Sequence, residues 1–147
     1  MCVKNIARDQ KHLSMRETVD YQNVNHDVIS NTAYSRVVAL VVKESSKPRV
    51  YLNNNVQKDS NYATTSSSCK DREAIPYKSE LVVPVIPSDY DNLSDIKFGG
   101  FLCIDSDKEN SFDPKRYDIP MTQGLADGLY ALIQKLIAKR DLNIENP

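Results

Sequence analysis

Leu81-Val82-Val83-Pro84-Val85-Ile86 and Phe98-Gly99-Gly100-Phe101-Leu102-Cys103-Ile104 decide the fold. Each run is short, rich in β-branched or aromatic residues, and bounded by polar or turn-forming residues, which is the composition of a strand. The polar connection from Ser88 to Asp95 makes the two runs a hairpin with a long loop. Both runs are apolar on both faces, so both faces are expected to be covered. Pro84 has no N–H to give to a ladder, which predicts an edge or a bulge beside it. Gly99-Gly100 predicts a bulge or a close approach of backbone.

Toward the C-terminus, Asp113-Pro114 and then Asp118 with Pro120 are helix-start signals, and the main helix is expected to begin near Ile119. Met121, Leu125, Leu129, Leu132 and Leu136 follow one stripe, with Ile133 and Ile137 beside it. Lys139 and Arg140 suit the negative end of the helix dipole. Gly124 and Gly128, four apart, make a small-residue face, expected to pack closely on another helix or within the domain. Residues 141–147 read as a frayed tail.

Toward the N-terminus the pattern weakens. Residues 53–78 hold Asn53-Asn54-Asn55 and Thr64-Thr65-Ser66-Ser67-Ser68, which favour turns. Only Val56, Tyr62, Ala63, Ile75 and Tyr77 could anchor that segment, which reads as a lid or a mobile loop. Arg49-Val50-Tyr51-Leu52 is a short strand candidate. Residues 30–44 are open between strand and helix. Val37 to Val42 is a continuous β-branched and apolar run, yet Ala33, Val37, Leu40 and Val41 recur at helical spacing behind the capping residues Ser30 and Asn31. Residues 22–27 read as loop, and Leu13 to Val19 as a half-buried strand.

The 147 residues suit one domain, drawn over residues 1–140. Nineteen basic against twenty acidic residues give a net charge of −1, without the basic excess that nucleic-acid binding uses. No apolar run reaches the ~18–20 residues of a membrane span. Met1-Cys2-Val3-Lys4-Asn5 opens no secretory-type apolar stretch. Cys2, Cys69 and Cys103 are too widely spaced for a disulfide framework and fit a reducing cytoplasm, the expected location. His12 and His26 have no partner at metal-ligand spacing, and no glycine-rich phosphate loop is present, so neither a metal nor a cofactor is expected.

Residues 77–137 resemble a GAF domain. The resemblance rests on Tyr77-Lys78-Ser79-Glu80-Leu81-Val82-Val83-Pro84-Val85, on Phe98-Gly99-Gly100-Phe101-Leu102-Cys103-Ile104-Asp105-Ser106, and on Phe112, Asp118 and the closing helix. It implies an α/β (α+β) fold: an antiparallel sheet of five or six strands with helices packed on it. It also tips residues 32–44 to helix. The family's usual first helix is missing, so the chain is expected to be a piece of a longer protein or to have that helix replaced by a partner.

GAF domains are small-molecule sensors and dimerisation modules, and fold alone does not name a ligand. The resemblance places the ligand between the sheet and residues 53–78. Tyr62 and Tyr77 would be walls with polar tips, Glu80 and Asp105 polar anchors, and Cys103 a neighbouring contact. The bland reading makes Glu80 a solvated strand end, Asp105-Ser106 a turn cap and Cys103 a packed small hydrophobe.

Two alternatives stand beside the sensor. One branch of the family, the free methionine-(R)-sulfoxide reductases, uses a cysteine and carboxylates. Here Cys69 with Glu80 and Asp105 would carry that chemistry, although Cys103 stands where that branch has an aspartate. The other alternative is a purely structural dimerisation domain. Asp107-Lys108, Phe112 and Asp118 only partly echo nucleotide-binding members and read as a loop and a cap. A homodimer through the C-terminal helix is expected, because its apolar face is wider than one core needs.

Overall fold

A computed structural model describes residues 1–3, 26–43, 49–65, 75–87 and 98–144. The expected strand at 13–19 and Cys69 lie outside the described residues. Among the described residues the elements are β1 (Cys2–Val3), β2 (His26–Asp27), α1 (Thr32–Val42), β3 (Tyr51–Asn53), a 3₁₀ turn (Val56–Lys58), β4 (Ser79–Val85), β5 (Gly100–Ser106) and α2 (Asp118–Ile144). The chain is α+β. A three-stranded antiparallel sheet of order β3-β4-β5 carries the two helices, and β1 and β2 form a separate antiparallel pair. No helix among the described residues is long and apolar enough to cross a membrane.

β4 is the centre of the molecule. All seven of its residues are buried, because its two faces serve two cores. Val82 packs with Ala33, Val37 and Val41 of α1, together with Tyr51, Val56, Tyr62 and Tyr77. Val83 and Val85 point the other way, against Ala126, Tyr130 and Ile133 of α2. Burying each such side chain contributes roughly 1.5–3 kcal/mol. β3 pairs only with Glu80, Leu81 and Val82. Pro84 therefore lies past the end of that ladder, a local edge where its missing N–H is tolerated. A Cβ on Gly99 would stand 3.0 Å from the Val85 carbonyl oxygen, and Gly100 has φ of +130°. The glycine pair thus serves the predicted close approach.

α1 is a helix. The Asn31 side chain accepts from the Tyr34 N–H at 3.1 Å, the N-cap bond that a strand would not make. Ala33, Val37 and Val41 are its buried stripe.

The structure differs from several readings made from sequence. His26–Asp27 is a strand rather than loop, since it pairs with Val3 and Cys2. β5 is not covered on both faces: Cys103 and Asp105 are exposed, because β5 is the last strand in the described sheet. Of the anchors expected in residues 53–78, Val56, Tyr62, Ile75 and Tyr77 are buried, whereas Ala63 is exposed. In α2 the inner face is Thr122, Ala126, Tyr130 and Ile133, not the leucine stripe. Small residues face the sheet at Thr122 and Ala126, and Leu125, Leu129, Leu132 and Leu136 are exposed. Gly124 and Gly128 have open space where a Cβ would go, so they are not sites of tight packing within the domain. α2 also runs on to Ile144, into the segment read as a tail.

Candidate functional site

The register of the sheet assembles the site. Glu80 pairs with Asn53 of β3 on one side and Asp105 of β5 on the other, and Val82 pairs with Tyr51 and Cys103. Residues directly opposite in an antiparallel ladder share a face. Tyr51, Asn53, Glu80, Cys103 and Asp105 therefore occupy the face that α1 covers. Residues 53–65 and 75–78 add Tyr62 and Tyr77 to it.

A polar cluster is sealed at its centre. Glu80 is buried, unlike a solvated strand end. The Tyr62 hydroxyl donates to Glu80 Oε2 at 3.0 Å and lies 2.7 Å from the Tyr77 hydroxyl. One hydroxyl has one proton. With the Tyr62 proton given to Glu80, Tyr77 must give its own to Tyr62. The order Tyr77 to Tyr62 to Glu80 is a short directed relay of donors that ends on the carboxylate. Beside it, Asn53 donates to the Tyr51 hydroxyl at 3.0 Å and to Asp59 Oδ2 at 2.9 Å. Arg36 of α1 sits 5.9 Å from the centre of the Tyr51 ring.

The tyrosines are held neutral. Burial, then the Glu80 charge and Tyr77, push the Tyr62 hydroxyl far above the usual tyrosine range. Burial, then Cys103, do the same to Tyr34. Burial raises Tyr51 to about 12. All three remain hydrogen-bond donors near neutral pH.

At the open edge, Cys103 is exposed, and its Sγ lies 3.7 Å from the Tyr34 hydroxyl. It is not the packed small hydrophobe that its apolar strand implied. Tyr34 stacks on Phe101 at 4.4 Å. Asp105 is exposed beside Cys103 along the same face. The turn after β5 is capped by Ser106, whose Oγ accepts from the Lys108 N–H at 3.2 Å.

The five residues singled out from sequence thus fall on one face. Tyr62, Tyr77 and Glu80 meet in one hydrogen-bonded unit, while Cys103 and Asp105 line its exposed margin. Sequence reasoning missed Tyr34, Tyr51 and Asn53. Tyr34 stands three residues before Val37 and seven before Val41, the spacing of the buried stripe, and that signal could have found it. It also missed Asn54, whose side-chain amide donates to the Phe112 carbonyl at 2.7 Å and accepts from the Phe112 N–H at 3.1 Å. That pair ties the chain after β5 to the end of β3. His26 is structural: buried, with Nδ1 3.0 Å from Thr65 Oγ1. No group of His, Cys, Asp or Glu among the described residues could hold a metal.

No protein-family model matches the chain, and no curated protein and no solved structure matches it either.

Proposed function

We propose that the chain is a GAF-type sensory domain that binds a small molecule on the α1 face of its sheet, without catalysis, in the cytoplasm. In this reading the sheet is completed to five or six strands, and the ligand lies between it and residues 53–78. The observation that carries the reading is the buried Tyr77–Tyr62–Glu80 relay, in register with Asp105 on the exposed margin. A buried carboxylate is costly unless it is matched by donors. Two carboxylates facing each other across a ladder repel. A ligand carrying positive charge at the exposed margin would relieve that repulsion, and Cys103 and Tyr34 would flank it.

Native mass spectrometry of freshly purified protein tests this together with a thermal-shift screen of amines, amino acids and nucleobases. The expected result is a bound or stabilising positively charged molecule that Glu80→Gln no longer holds. A wild type that binds none of these, or binds them equally after Glu80→Gln, rejects the reading. The reductase alternative is tested in the same preparation. We expect no turnover of free methionine-(R)-sulfoxide; turnover abolished by Cys69→Ser would replace sensing by catalysis. The reading as a purely structural dimerisation domain draws support from the exposed leucine face of α2 and predicts a dimer with no ligand.

A further inference from the structure

The outer face of α2 carries four leucines in water. Met121 is 60% exposed, Leu125 56%, Leu132 52% and Leu136 59%. The stripe lies about a quarter-turn round the helix from the inner face of Thr122, Ala126 and Tyr130. With Leu129 and Ile137 also exposed, it leaves on the order of 500 Å² of apolar side chain in water, more than half of the ~800 Å² that each partner of a standard interface buries. Contiguous patches of that size mark interaction sites. Among the described residues the packed cluster on α2 reaches Ile133, and Lys135 to Lys139 beyond it are exposed.

The order of residues along the stripe says what covers it. Taken about a midpoint between Gly128 and Leu129, the stripe is complementary to its own reverse. Asp118 corresponds to Lys139, Met121 to Leu136, Leu125 to Leu132, and Gly128 to Leu129. Acid meets base at the ends, apolar meets apolar between, and at the centre a leucine meets a position with no side chain. Gly128 has open space around it, as a hole for an incoming leucine requires. From this we infer that α2 pairs with α2 of a second copy in antiparallel orientation, about a two-fold axis between Gly128 and Leu129. A two-fold axis makes each contact occur twice, so the Asp118 carboxylate and the partner's Lys139 form two symmetric pairs. An antiparallel pair also sets the two helix dipoles head to tail. A parallel pair would instead stack Lys139 on the partner's Lys139 and Asp118 on the partner's Asp118. Pairing through this face needs no ligand, so it stands or falls separately from the sensory reading.

Two measurements test it on the full chain. In sedimentation equilibrium at tens of micromolar, wild type is expected at dimer mass and Leu129→Glu at monomer mass with unchanged circular dichroism. Leu125→Glu provides the same test should the first variant fold poorly. In a background with Cys2, Cys69 and Cys103 replaced by serine, Met121→Cys and Leu136→Cys chains are oxidised separately and mixed. Efficient disulfide linkage is expected only in the mixture. Linkage of Met121→Cys to itself would show a parallel pair and overturn the inference. A monomeric wild type, or a dimer that survives both leucine substitutions, overturns it as well.

Discussion

Tyr62 is the residue on which the polar cluster turns, because its single hydroxyl both gives and receives. Replacing it by phenylalanine removes one donor from a buried carboxylate and one acceptor from Tyr77. Hydrogen bonds to charged groups contribute about 1.5–3 kcal/mol, and a buried group that loses its partner carries a penalty of its own. Tyr62→Phe should therefore cost about 1.5–3 kcal/mol in urea unfolding. An unchanged unfolding midpoint and slope would show that the Tyr62 hydroxyl does not support Glu80. The sequence displays these tyrosines and Glu80 plainly, but not their depth. Glu80 reads as a solvated strand end because charged residues are mostly exposed. Its burial comes from Tyr62 and Tyr77 folding back across β4, a long-range event with no local signature. Cys103 misleads in the opposite sense. Its neighbours are apolar, yet its side chain faces the open margin of β5.

At the scale of elements, local chemistry settled some cases and not others. α1 is a helix because Asn31 closes its first turn, and that cap is readable in the sequence beside the stripe of Ala33, Val37 and Val41. Asn31→Ala should destabilise the protein by about 0.5–2 kcal/mol, and Asn31→Ser by much less, since serine offers a neutral acceptor at this buried cap. Thermal unfolding of the two variants decides it. α2 shows what periodicity cannot say. It carries two apolar faces, and the larger, richer in leucine, reads as the core. The sheet takes the other, because Thr122 and Ala126 let the helix axis approach closely. Gly124 belongs to neither face and has open space at its Cβ position. In a helix interior glycine is about 0.8–1 kcal/mol less favourable than alanine. Gly124→Ala should then raise stability by up to about 1 kcal/mol. A loss would mean that something packs against that position.

At the scale of the whole molecule, the two layers meet at β4, whose alternate residues feed α1 on one side and α2 on the other. That architecture is legible from the fully apolar run of Leu81 to Ile86, since only a strand covered on both faces is apolar throughout. The three-strand order needed the register, which no single strand specifies. The same layering sets the response to alkali. Tyr34, Tyr51 and Tyr62 all lie on the α1 side, and burial raises the hydroxyl of each above its ordinary value of 10, Tyr51 to about 12 and the other two further. The unfolded chain gives up these protons first as pH rises. Above pH 10 it therefore binds fewer protons than the native state, and stability falls with pH. The contribution is fully present below pH 10 and fades as pH passes through about 12 for Tyr51, and beyond that for Tyr62 and Tyr34. The midpoint of thermal unfolding should be insensitive to these tyrosines near neutrality and drop steeply on the alkaline side. Tyr62→Phe lowers the midpoint at neutral pH but removes one of the three titrating groups, so its alkaline decline should be shallower than that of wild type. Parallel curves for the two proteins would show that Tyr62 does not hold its proton more tightly when folded, and the neutral donor relay to Glu80 would fail with it.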